Sequence, residues 1–102
     1  MEMNPRVFLD CDPRTLRVPG SRRSGAEPWK LHRQIALYGS STEAIPPMEV
    51  SRGTDGELVI NNGVTRATRV AMLSPGTLVR VEVIDELPIP VGSFPSIGDL
   101  IP

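Results

Sequence analysis

The residues best suited to chemistry sit in two short stretches. In Gly63-Val64-Thr65-Arg66 a glycine permits a tight turn. The helix read to follow it leaves its first N–H groups unpaired, and Thr65 and Arg66 add a hydroxyl and a guanidinium at that positive end. This combination makes a cradle for an anion such as phosphate. In the second stretch Lys30 and Arg33 stand three apart, on one face of the opening turns of a helix. Two helix N-termini would then share one anion, and the basic pair Arg22 and Arg23, in a small, polar loop, would close over it. The plainer alternative is that Asn62 or Thr65 caps the second helix while Arg66 and Arg69 form its solvated face.

Other reactive types point nowhere as strongly. Cys11 stands between Asp10 and Asp12, a setting that raises a thiol pKa and favours an inert side chain. One histidine, His32, cannot build a zinc site and reads as an ordinary surface or packed residue. Asp10, Asp12, Glu49, Asp55 and Glu57 are the acids available to a magnesium-dependent nuclease centre, but their spacing follows no metal motif, and Asp55-Gly56 reads as a hairpin turn. No catalytic residue and no metal ligand is assigned. Trp29 either covers the edge of the core or stacks on a base.

These residues need elements to hold them. Val7 to Asp10 is a short apolar run stopped by Cys11-Asp12-Pro13, and Leu16-Arg17-Val18 alternates before Pro19-Gly20, so one or two short strands are expected there. A helix over about 27–38 opens with Pro28 in the first turn and closes at Gly39, with Leu31, Ile35 and Tyr38 as its buried stripe. Met48–Ser51 and Leu58–Ile60 flank Gly53-Thr54-Asp55-Gly56 as a β-hairpin. Val64, Ala67, Val70 and Ala71, with Leu73 as a further candidate, make one side of a second helix over 64–73. Thr77–Ile84 alternates strictly and is the strongest strand signal. The last stretch, with Pro88, Pro90, Pro95 and Pro102, is expected to be extended and coreless. The fold class is α+β, a small mixed sheet with two short helices, divided into a domain at 1–86 and a Pro-rich tail at 87–102.

Composition narrows the function classes. The 102 residues leave room for one domain, and the 39% apolar and 23% charged fractions suit a folded protein. No window approaches the ~18 apolar residues of a membrane span, and the charged start is unlike a signal peptide, so no membrane partner and a cytoplasmic location are expected. A formal net charge of −1 argues against a general DNA-coating surface. The total hides a gradient: residues 14–33 hold six basic side chains against one acid, and 77–102 hold one against four. Either the two ends neutralise each other or one end attracts anions.

The helix opening E-P-W-K, the hairpin P-P-M-E-V…D-G-E-L-V-I-N-N-G and the run V-T-R-A-T-R-V-A-M-L leading into V-R-V-E-V-I together resemble the ParB/sulfiredoxin superfamily over roughly residues 7–86. The resemblance implies that Gly63 and Arg66 of a Gly-x-x-Arg turn, with Lys30, contact nucleotide phosphates. The implied ligand is a nucleotide or nucleic acid, a nucleoside triphosphate with magnesium being one that fits. Two departures stand out. Val64 occupies the place of the sulfiredoxin cysteine and of the glutamate usual in chromosome-partition ParB proteins, and Thr65 the place of the sulfiredoxin histidine. Sulfinic-acid reduction is therefore not expected, and the enzyme question stays open, leaning to none; a nucleotide hydrolase or metal-dependent ParB-like nuclease would be the activity if there is one. The resemblance is to the nucleotide-binding part alone. The alternative reading is a catalytically silent interaction module, of toxin–antitoxin or complex-subunit type, that offers the apolar tail at 87–102 to a protein partner; against it stands a tail that folds back on its own domain and completes a thin core.

Overall fold

The computed structural model describes residues 5–101. Four strands, β1 (Val7–Cys11), β2 (Met48–Arg52), β3 (Leu58–Asn62) and β4 (Val79–Glu86), form one mixed sheet in the order β1-β4-β2-β3. β4 runs antiparallel to β1 and parallel to β2, and β2 and β3 make the expected hairpin. Helices α1 (Pro28–Tyr38), α2 (Val64–Leu73) and α3 (Ile97–Leu100) complete an α+β fold.

Strict alternation explains β4: Val79 and Val81 are buried, whereas Arg80 between them is exposed and pairs with Asp10 across the strand register. α2 lays Val64, Ala67, Val70 and Ala71 into the core against Met48, Val50, Ile60, Val79 and Val81 of the sheet. Leu16 and Val18, outside the regular elements, and Ile97, which opens α3, close that core.

Several expectations need correction. The segment 16–18 is not a full strand; Arg17 alone makes bridges, parallel to Val59 and antiparallel to Ser96. α1 contains no buried residue, and Tyr38, expected in its buried stripe, is exposed, because the helix lies beside α2 rather than over the sheet. The stretch after residue 86 is not wholly extended; it folds back on the domain, the arrangement weighed against an interaction tail, and completes the core. It turns into α3, whose Ser96 and Asp99 form a reciprocal cap, and it buries Val91 and Ile97. The prolines of this stretch rule out a regular ladder, so individual hydrogen bonds hold it instead. Leu87 N donates to Arg52 O (2.8 Å), Thr54 N to Ile89 O (3.0 Å), Val18 N to Pro95 O (2.8 Å) and Ile97 N to Leu16 O (2.8 Å). The Asp55 carboxylate takes N–H groups from Val91 (3.3 Å) and Gly92 (2.8 Å). The hairpin turn thus clasps the C-terminal stretch, closely enough that a Cβ on Gly53 would stand 2.9 Å from Val91 N.

Among the described residues no helix is long and apolar enough to cross a membrane.

Candidate functional site

Both helices that carry the candidate cations open without a side-chain cap. At α1 the preceding residue, Glu27, turns its carboxylate away from the helix N–H groups: it accepts the Trp29 indole Nε1–H at 2.8 Å and lies 3.7 Å from Lys30 Nζ. At α2 the position before the helix is Gly63, and neither Asn62 nor Thr65 caps the first turn. The N-terminal N–H groups of α2 therefore keep their partial positive charge for another acceptor, worth ~0.3–1 kcal/mol to an anion there.

Lys30, Arg33 and Thr65 line one cavity of about 390 Å³ together with Trp29, Gln34 and Leu37. Residues 29/30, 33/34 and 37/38 recur at helical spacing, so one flank of α1 forms one wall of this groove and the first turn of α2 the other. Arg33 and Arg66 have no carboxylate in ion-pair range among the described residues, and the Lys30–Glu27 pair, with both partners over two-fifths exposed, binds weakly. The groove keeps an uncompensated positive charge. Here the basic end of the chain is not neutralised by the acidic end, whose Glu82 and Glu86 pair with Arg6 and Arg52 instead.

The remaining candidates take other positions. Arg66 lines an adjoining cavity of about 240 Å³, where its Nη1 donates to Pro46 O at 3.1 Å. The two cavities share Gln34 and Tyr38. Gly63 has φ 120°, and a Cβ there would lie 2.4 Å from Met48 Cγ. The close approach that this glycine permits is thus that of a core side chain from β2. Arg22 and Arg23 do not line the groove with Lys30, Arg33 and Thr65; Arg22 ends a short 3-10 turn, Gly20–Arg22, and the following Ser24 and Gly25 pack by Leu100.

One residue that matters to the site was read only as part of a solvated face. Arg69 is 2% exposed. Its Nη1 donates to the carbonyls of Gly39 and Ser41, both at 2.8 Å, and its guanidinium lies over the Tyr38 ring at 5.4 Å. It thereby meets the carbonyl-rich end of α1 and fixes that helix against α2. Its three-residue spacing from Arg66 was visible, but its acceptors are backbone atoms 28 and 30 residues away and leave no pattern in the sequence.

Of the acids considered for a metal centre, Asp10 pairs with Arg80 (3.1 Å), Asp12 caps Arg14 N (2.9 Å), Glu57 holds Arg17 (2.8 Å) and Asp55 holds the C-terminal stretch. Among the described residues no three His, Cys, Asp or Glu side chains converge. Burial first, then the charges of Asp12 and Asp10, push the Cys11 thiol up to about 11, so it is protonated at neutral pH and is a poor nucleophile. His32 is exposed on α1. Compared with known proteins, the chain matches no protein-family model and no curated sequence.

Proposed function

We propose that the chain is a ParB/sulfiredoxin-like domain that binds a phosphate-bearing ligand, a nucleotide or the end of a nucleic acid, in the groove between α1 and the first turn of α2. The observation that carries this reading is the shared cavity: Lys30 and Arg33 come from one helix and Thr65 from another, and all three face one space beside an uncapped helix N-terminus. Two cations, a hydroxyl and free N–H groups are the donors that a phosphate group needs. In this reading Thr65 contributes a hydroxyl contact, Lys30 and Arg33 pair with the ligand's charge, and Arg66 engages ligand that extends into the adjoining cavity. Val64, buried against the core, supplies neither nucleophile nor base, and the reading rests on binding and needs no catalysis.

The test is thermal denaturation with and without ATP, CTP, GTP and a short DNA, each with magnesium. A ligand at ~100 times its Kd stabilises by about 2.7 kcal/mol, which moves the midpoint of a domain this size by roughly ten degrees or more. A shift with one of these ligands that disappears in Lys30→Ala/Arg33→Ala, with the unliganded midpoint unchanged, is the expected result. A cooperative melt that none of the ligands moves would refute the reading for that ligand class.

A further inference from the structure

β1 is the outermost strand of the sheet, and no backbone group of the described residues pairs with its far side. An open edge of this kind is a template for another strand. Its sequence carries a symmetry: in Arg6-Val7-Phe8-Leu9-Asp10 opposite charges stand at equal distance on either side of Phe8. Phe8 and Asp10 face Glu82 and Arg80 across the register with β4. On that outer face Arg6 donates to both Glu82 oxygens at 2.9 Å, and Arg80 Nε donates to Asp10 Oδ1 at 3.1 Å. Val7 and Phe8 are each 37% exposed, Arg6 and Asp10 more so.

We propose that β1 pairs antiparallel with β1 of a second copy of this chain, about a two-fold axis at Phe8, joining two four-stranded sheets into one. In that register Arg6 faces the partner's Asp10, and Val7 faces the partner's Leu9. The outer face then carries Glu82, Arg6, the partner's Asp10 and the partner's Arg80 in a row of alternating sign. Other registers lose this match. A slip of two residues sets Phe8 against Arg6 or Asp10, a slip of four sets Arg6 against Arg6 or Asp10 against Asp10, and a slip of one opposes inward to outward side chains. Charges on an edge strand ordinarily deter strand addition; here they find opposite charge in one register only. A closed two-fold pairing also consumes both open edges, so it ends at the dimer.

The test is sedimentation equilibrium of the full chain and of two charge variants, Asp10→Arg and Arg6→Asp. The wild type is expected to dimerise, each variant to be monomeric because it meets like charge in its own copy, and an equal mixture of the two to form a heterodimer. A wild type that stays monomeric up to about 1 mM, the weak end of specific association, overturns the proposal; so do variants that still self-associate. Each variant also meets a like charge from Glu82 or Arg80 within its own sheet, so its folding is checked by circular dichroism. If either fails to melt cooperatively, Phe8→Cys in a Cys11→Ser background decides the matter. Directly opposed residues of an antiparallel pair lie ~4.5–5.5 Å apart at Cα, within disulfide range. Mild oxidation is expected to link Phe8→Cys chains as dimers and to leave the exposed Leu78→Cys control unlinked; equal linking of both, or of neither, overturns the proposal.

Discussion

Replacing Gly63 by alanine separates two reasons for a glycine at the mouth of the groove. If the residue is there to let a ligand approach, Gly63→Ala leaves the fold intact and weakens binding alone. The geometry points to a larger effect on the fold. At φ 120° an L-residue is strained, at a cost of about 1–3 kcal/mol. The new Cβ would also stand 2.4 Å from Met48 Cγ and 3.1 Å from its Cβ and Sδ. Met48 is fully buried on β2 and has no free space to enter, so overpacking adds about 1–3 kcal/mol. The sum, roughly 2–6 kcal/mol, is a large part of the total stability of a domain this size and lowers Tm by about 10 °C or more. The assay is a urea titration followed by circular dichroism on Gly63→Ala, Met48→Ala and the double variant. Met48→Ala alone costs about 2–5 kcal/mol. Because it also removes Cγ, the closest clashing atom, and Sδ, the double variant is expected to lose less than the two singles together. A Gly63→Ala protein as stable as the wild type, or strict additivity in the double variant, would refute the steric account and return the glycine to the ligand.

Three further outcomes are expected. Ile97→Ala empties a fully buried position in the C-terminal stretch and is expected to cost about 2–5 kcal/mol in the same titration; an unchanged midpoint would mean that residues after 86 do not share the core. Burial alone would raise the Asp55 pKa, but N–H donors from Gly92, Val91 and Glu57 outweigh it and hold the carboxyl below its ordinary value. Its contribution is therefore complete above the unfolded-state pKa of about 3.9 and fades as pH falls toward the folded-state value, so Asp55→Asn is expected to flatten the acid limb of a pH–Tm profile; an unaltered limb would contradict the clasp. The Cys11 thiol, pushed up to about 11, favours the folded state below the unfolded thiol pKa, so stability is expected to decline as pH climbs from there toward about 11. Cys11→Ser should lose that decline, and labelling of native Cys11 at pH 8 should run about two orders of magnitude slower than that of a free thiol.

The parts of the fold that were legible are those whose order is written in a period. α2 shows apolar residues at 64, 67, 70 and 71 and is found at Val64–Leu73 with all four buried. β4 alternates and is found as the central strand shared by β1 and β2. That the apolar C-terminal stretch could fold back was legible, but its path was not, because nothing periodic organises it. Its partners, Arg52, Thr54, Asp55, Leu16 and Val18, are 35 to 81 residues away in the chain, and its order depends on single hydrogen bonds that leave no period in the sequence. Of the site, helix spacing places Lys30 and Arg33 on one flank of α1, whereas the open α2 turn and the approach of Thr65 to that flank depend on how the two helices pack, which no spacing states. Nor does spacing state the place of Arg22 and Arg23, because a loop without apolar period has no preferred direction.

The depth of α1 shows what spacing leaves undecided. Leu31, Ile35 and Tyr38 define one side of the helix, but a stripe states a direction and not the presence of a surface to cover it. The sheet is already covered by α2 and by Leu16, Val18 and Ile97, so α1 finds only the flank of α2 and buries none of its residues. Little apolar burial holds it there. What fixes it is Arg69, a guanidinium taken out of water, whose Nη1 meets two carbonyls while its Nε finds no acceptor among the described residues. A buried charge compensated only by carbonyl dipoles and an aromatic face is a poor source of stability, yet its directional bonds determine where the helix ends. The groove that holds Lys30, Arg33 and Thr65 is the gap between these two helices, so its width depends on a side chain that lines the neighbouring cavity rather than the groove itself.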